Sequence, residues 1–237
     1  MFAKKCVLLL TLGVTILFAC QQNKSAETAK TMSQDDWITL FDGASLNAWQ
    51  SSTTEEMISE CWAIENNELV SVRKDERPNN GHASLLTKQT YGSFELTFEF
   101  KLEPPTKDKD TNSGVKYFVY PNTELGLEYQ LYATLGDLGG RHAIADLYDI
   151  LPATGAELKP FDEWNSARII AQGTHCEHWL NGVKVLEFER GSDEFRAAIA
   201  NSKFKDRENF GELEAGHIML QDHGGGVKFR KIKIRPL

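Results

Sequence analysis

The 237-residue chain carries 26 basic and 34 acidic side chains, for a net charge of −8, with 41% hydrophobic and 25% charged residues. This length suits one large β sandwich or two small domains. The composition excludes a collagen-like repeat, long disorder and a polytopic membrane protein. An acidic chain with no basic stripe does not match a phosphate backbone, so nucleic acid is not an expected partner.

Lys4-Lys5 precede an apolar run from Val7 to Ala19. A basic start and a short apolar stretch read as a secretory signal, too short to cross a bilayer comfortably. Leu17-Phe18-Ala19-Cys20 resembles a bacterial lipobox, in which Cys20 becomes the acylated first residue. The expected division is a lipoprotein signal over residues 1–19, a polar tether over 20–36 and one domain over 37–237. The chain is then a lipid-anchored envelope protein. Gln21-Gln22-Asn23-Lys24 has no acidic cluster, which favours the periplasmic side. With Cys6 removed and Cys20 lipidated, Cys61 and Cys176 remain. Two distant thiols make no disulfide framework, and no Cys-x-x-Cys marks a structural zinc.

From Trp37 onward, short β-rich runs alternate with Gly, Pro, Asn and Asp. In chain order they are Cys61–Ile64, Glu68–Val72, Ser84–Leu86, Gly92–Leu102, Gly114–Tyr120, Leu127–Tyr132, Ala167–Gln172, Cys176–Leu180, Val183–Glu189, Gly216–Gln221 and Val227–Ile234. Phe94–Phe100 and Lys228–Ile234 alternate strictly, as half-buried antiparallel strands do. Asn181-Gly182 is a hairpin turn signal, and Asp193–Asn201 reads as a short helix. About eleven strands in roughly 200 residues predict an all-β, jelly-roll sandwich of two antiparallel sheets. A Rossmann or TIM fold would need regular helices between strands.

The segments Trp37–Gly43, Leu46–Trp49, Asn112–Tyr117, Gly126–Gln130, Asp146–Asp149, Glu163–Asn165, Glu177–Gly182, Gly216–Ile218 and Leu220–Gly224 resemble, in order, blocks of the 3-keto-disaccharide hydrolase domain family, which is common in bacterial lipoproteins. The resemblance implies a concanavalin-like jelly roll. It also implies action on glycosides oxidised to a ketone at C3.

Period two assigns side chains to faces. Leu127, Tyr129 and Leu131 share one face of their strand, so Glu128, Gln130 and Tyr132 share the other. Val115, Tyr117 and Val119 are expected in the core with Lys116 opposite. Ile218 and Leu220 point in, which turns His217 and Gln221 out with His223 just beyond. Arg168 lies opposite Ile169. His178 falls on either face, since both the Cys176/His178/Leu180 set and the Glu177/Trp179 set suit a core. His142 follows a glycine-rich stretch, with Asp146, Tyr148 and Asp149 close behind. That segment reads as a lid over a cleft, or as a surface loop capped by Asp146 or Asp149. His82 and His175 have no supporting context.

Retaining glycosidases of this fold need paired carboxylates about 5 Å apart. The residue two after Glu128 is Gln130, which disfavours that mechanism. A 3-keto sugar offers another route. The ketone acidifies the C2 proton, a base removes it, the group on C1 leaves, and water adds to the enone. For that chemistry His223 or His142 is the expected base. Glu128, helped by His178, is the polarising group or the ligand of a divalent metal, and no other cofactor is expected. Lys116, Gln130 and Arg168 orient the saccharide, with Asp146, Tyr148 and Gln221 as further substrate contacts. The alternatives are a carbohydrate-binding lectin using Phe118, Tyr120 and Tyr132, and an adhesion lipoprotein that binds no saccharide.

Overall fold

Strands with one apolar face must stack that face on another layer. Thirteen do so in the computed structural model, which describes residues 36–136, 140–161 and 163–237. The expected signal, the tether up to residue 35 and Cys20 lie outside the described residues. The larger sheet runs β11 (Val183–Glu189), β10 (His175–Leu180), β9 (Asn165–Gln172), β6 (Phe94–Leu102), β13 (Val227–Pro236), β4 (Glu68–Ser71) and β3 (Trp62–Glu65), with β1 (Ile38–Phe41) also on β13. The smaller runs β2 (Trp49–Ser51), β5 (Leu85–Tyr91), β12 (Gly216–Leu220), β7 (Thr111–Val119) and β8 (Leu127–Ala133). Neighbouring strands pair antiparallel, as the alternation requires.

The core lies between the sheets. Phe94, Leu96, Phe98, Phe100 and Leu102 of β6 face Val115 and Tyr117 of β7 and Leu127, Tyr129 and Leu131 of β8, all buried. Phe98 meets Tyr129 edge-on across the sandwich at 5.8 Å between ring centroids. Each such side chain stabilises the fold by about 1.5–3 kcal/mol through burial.

Three elements escape period-two reading. The strands β1 and β2 have four and three residues, and the helix α1 (Glu55–Cys61) has seven, just under two turns. Cys61, expected to open a strand, closes α1. The second helix, α2 (Asp193–Ala200), is where the sequence puts it. Its Ser192 cap accepts a hydrogen bond from the Phe195 N–H at 3.1 Å.

A bulge re-aims the end of β7. Phe118 has φ +50° and sits where the β12–β7 register shifts between His217 and Met219. One inserted residue reverses the alternation beyond it. Tyr117 and Phe118 both enter the core, while Val119 turns away to pack with Leu86 and Met219. This corrects two expectations: Val119 leaves the main core, and Phe118 is no binding-face aromatic. Tyr120 stacks on Phe210 and Tyr132 donates to Asp110 at 2.5 Å. The three aromatics expected of a lectin face are thus not gathered.

His178 belongs to the core set of β10 and is fully buried. Its Nδ1–H donates to the Ala145 carbonyl at 2.8 Å, so Nε2 accepts from the Tyr117 hydroxyl, also at 2.8 Å. Both nitrogens are committed, which removes His178 as substrate contact and as metal ligand. Burial lowers its pKa from 6.5 to about 4, against a smaller opposing effect of the Ala145 carbonyl. The unfolded chain therefore takes up a proton that the folded one refuses. This loss of stability begins as pH falls below about 6.5 and is complete near pH 4. We expect urea unfolding to show about 3 kcal/mol lost over that window through this group. A His178→Leu variant, less stable at pH 7, should show a correspondingly flatter pH dependence. An unchanged slope would contradict the assignment.

Candidate functional site

The β7–β8 hairpin sets the site. Its register places Lys116 opposite Glu128 and Gly114 opposite Gln130. The outward side chains of both strands then share one face. Glu128 and Gln130 are nevertheless buried, at 6% and 1% exposure. The segment from Ala143 to Leu151 covers them, held to β8 by the Gln130 N–H on the Asp146 carbonyl, the Ala145 N–H on the Gln130 carbonyl and the Tyr148 N–H on the Glu128 carbonyl. The result is a cavity of about 170 Å³ lined by Lys116, Glu124, Glu128, Gln130, Tyr148, Lys203, Gln221 and His223, with Asn112 at its wall.

Burial raises the pKa of Glu128 against the opposing pull of Lys116 and Lys203. Lys116 Nζ lies 3.6 Å from its carboxylate and donates to the Glu124 carbonyl at 3.0 Å. Gln130, with its amide nitrogen turned to the acceptors, donates to Glu128 Oε1 at 3.2 Å and to the Ser113 carbonyl at 3.1 Å. Lys203 arrives from the segment after α2. Its N–H donates to Asp149 at 2.6 Å, and its Nζ lies 4.1 Å from the Tyr148 ring centroid. A Cβ at Gly114 would fall 2.3 Å from Glu128 Oε1, so the missing side chain is the space the carboxylate occupies. His223 Nε2 lies 3.4 Å from Asn112 Nδ2 at the mouth. Among the described residues, no donor reaches the buried acceptors Asn112 Oδ1 and Gln221 Oε1.

Six residues singled out from the sequence therefore meet here: Lys116, Glu128, Gln130, Tyr148, Gln221 and His223. The others do not. His142 stands behind Tyr148, with 4.9 Å between ring centroids, and pairs with Asp149 at 3.0 Å. Asp146 is a buried cap whose two oxygens each accept a backbone N–H, from Ala143 and Ala153, at 2.7 Å. Arg168 lies on the outer face of the larger sheet, 3.9 Å from the Trp179 ring and 3.5 Å from Glu95, in a separate groove of about 570 Å³. Its strand, β9, belongs to the other sheet, so period two gave the face but not the layer.

Sequence reasoning missed Glu124, Lys203 and His82. Glu124 comes from the hairpin loop before β8. Burial opposes its ionisation, but hydrogen bonds from Ser52, His82 and Ser84 outweigh it and hold its pKa low. A second cavity, of about 240 Å³, adjoins the first through their shared residue His223 and is lined also by Lys74, Arg77, His82 and Asp222. The Pro121-Asn122 turn signal was the one available pointer to Glu124.

With His178 committed elsewhere, the expected Glu128–His178 pair does not fit a divalent ion, and two lysines already supply the charge facing Glu128. Among the described residues, His175, Glu177 and Glu187 place ligand atoms within 4.8 Å of one another. Lys184 bonds both of those carboxylates, so an ammonium already supplies the counter-charge there.

Arg77 and Asp222 form a wholly buried bidentate pair, at 2.7 Å in both contacts, across 145 positions of sequence. Burial opposes the Asp222 charge, but Arg77 and the Gly224 and Ala83 N–H groups hold its pKa low. Removing one partner strands a buried charge. Arg77→Met should lose about 3–5 kcal/mol in denaturant unfolding. Adding Asp222→Leu should recover much of that loss, and additive losses would count against the pair.

A protein of Bacteroides thetaiotaomicron named 3-keto-disaccharide hydrolase is 29% identical over 86% of this chain and 79% of its own length. A crystal structure of a candidate glycosyl hydrolase from Parabacteroides distasonis superposes with TM-score 0.72 at 24% identity, covering 85% of this chain and 94% of that one. The β-glucanase of Bacillus licheniformis shares the fold at TM-score 0.51 and 10% identity, over 85% and 97% of the two chains. The sandwich is thus the expected jelly roll. Residues 36–235 match the 3-keto-alpha-glucoside-1,2-lyase-like domain, and the chain belongs to that family.

Proposed function

We propose that the protein cleaves the glycosidic bond of saccharides carrying a ketone at C3, by removal of the C2 proton, departure of the group on C1 and addition of water. The observation that carries this reading is a buried carboxylate with a raised pKa, Glu128, flanked by two ammonium groups in a small cavity. A desolvated carboxylate is a stronger base than one in water. Lys116 and Lys203 supply positive charge for the enolate oxygen that forms when the proton leaves. Glu128 then takes the role of base. His223, at the mouth beside Asn112, takes that of a saccharide contact with Gln221 and Tyr148. The family membership and the name of the Bacteroides relative support the 3-keto substrate.

A second reading rests on Glu124. It shares the cavity with Glu128, and the environments push the two pKa values apart, the pattern of an acid and a base at an ordinary glycosidic bond. Substrate choice separates the two readings.

Purified protein should consume 3-keto-trehalose and leave trehalose untouched. In deuterium oxide it should exchange the C2 proton of the keto sugar. Glu128→Gln should lower both rates by at least about a hundredfold. Gly114→Ala should also cost about a hundredfold in turnover, because its methyl group displaces the carboxylate. Turnover of trehalose at the same rate would favour the second reading. Exchange that survives in Glu128→Gln would remove Glu128 as the base.

A further inference from the structure

A chain of charged groups runs from the core to the wall of the cavity and ends at Glu124. Asp222 is fixed by Arg77, and Asp222 Oδ2 lies 3.4 Å from His82 Nδ1. His82 Nε2 contacts Glu124 Oε1 at 3.1 Å. The backbone on either side of His82 is held by the same pair: Arg77 takes the Gly81 carbonyl at 2.6 Å, and Asp222 the Ala83 N–H at 3.2 Å. The imidazole is therefore aimed rather than merely nearby. Its side chain is 52% exposed, whereas that of Asp222 is wholly buried. It can exchange protons with solvent while its two nitrogens face carboxylates.

Resting on the function proposed above, we infer that Glu124 is a second catalytic residue, the one that hands a proton to the departing oxygen, and that His82 is the positioning residue that supplies this proton. When the C1–O bond breaks, its electron pair goes to the leaving oxygen. That oxygen takes a proton passed from His82 through the Glu124 carboxylate, leaving His82 one proton short and Glu124 ionised, as it began. When water adds to C1 of the enone, its proton returns through Glu124 to His82. C2 recovers its proton from Glu128. Both groups end as they began, and the sum is hydrolysis. The raised pKa of Glu128 suits the proton at carbon, and a solvent-linked pair suits the proton at oxygen.

A leaving group that is stable as an anion needs no such proton, which gives the test. On 3-keto-trehalose, whose leaving oxygen is a sugar hydroxyl, Glu124→Gln should lower kcat at least about a hundredfold. On 4-nitrophenyl 3-keto-glucoside it should stay within a few-fold of wild type, which also shows that the variant is folded. His82→Gln should show the same split, and the double variant should lose no more than Glu124→Gln alone. Glu124→Asp should restore part of the trehalose rate. Equal losses on both substrates would overturn the role of Glu124, and multiplying losses in the double variant would overturn the link to His82. Absence of turnover of either keto sugar by wild type would instead refute the proposed function itself.

Discussion

Taking a carboxylate out of water is costly unless charge and hydrogen bonds replace the solvent, and the site is organised around that demand at Glu128. Its oxygen rests where Gly114 has no side chain. Lys116 reaches it from the directly opposed position of β7, and Gln130 from two residues along its own strand. Each of these depends on the β7–β8 register. A slip of one residue would send Glu128 into the aromatic core and Tyr129 into the cavity. Lys203 adds charge from a distant segment, carried in on the Asp149 carboxylate. The hairpin alone thus supplies three parts of the site, and a loop after α2 completes it.

The adjoining cavity obeys the same rule with a different solution. Arg77 and Asp222 are buried as a pair, and their spare hydrogen-bonding capacity goes to backbone. Arg77 takes the Val72 and Gly81 carbonyls, and Asp222 the Ala83 and Gly224 N–H groups. Four loop positions are fixed by one ion pair. Loops that would otherwise lie at the low-stability end of the molecule are thereby held still. Preorganised groups are what a reaction with transient charge requires.

The fold was legible because it is written in period two. The apolar faces of β6, β7, β8 and β13 name the core without any structure, and the same alternation turns Lys116, Glu128 and Gln130 together. What period two cannot encode is layer, bulge and long-range closure. Arg168 obeys the alternation and still ends on the wrong sheet. Phe118 breaks it through one residue at positive φ. His178 sat on a strand whose two faces were equally plausible, and only the partners Tyr117 and Ala145 decide between them. Glu124, Lys203 and His82 lie in loops, where no repeat operates and position is set by contacts far along the chain. The resemblance to a family indicated a chemistry, but it could not say which of the matched residues face one another.

The unmade hydrogen bonds of the cavity bear on specificity. Asn112 Oδ1 and Gln221 Oε1 are buried acceptors with no donor among the described residues, and both residues line the cavity wall beside His223. A buried polar atom left without a partner costs about 1–3 kcal/mol. A ligand that brings hydroxyl donors to these positions recovers that energy, and a deoxygenated analogue of the same shape does not. Sites that leave polar groups unpaired reject such analogues far more strongly than apolar pockets reject a missing methylene. The cavity lining thus offers acceptors at Glu128, Asn112 and Gln221 and ammonium groups at Lys116 and Lys203. That set suits a ligand that brings hydroxyl donors to the acceptors and an oxygen that takes on negative charge to the ammonium groups.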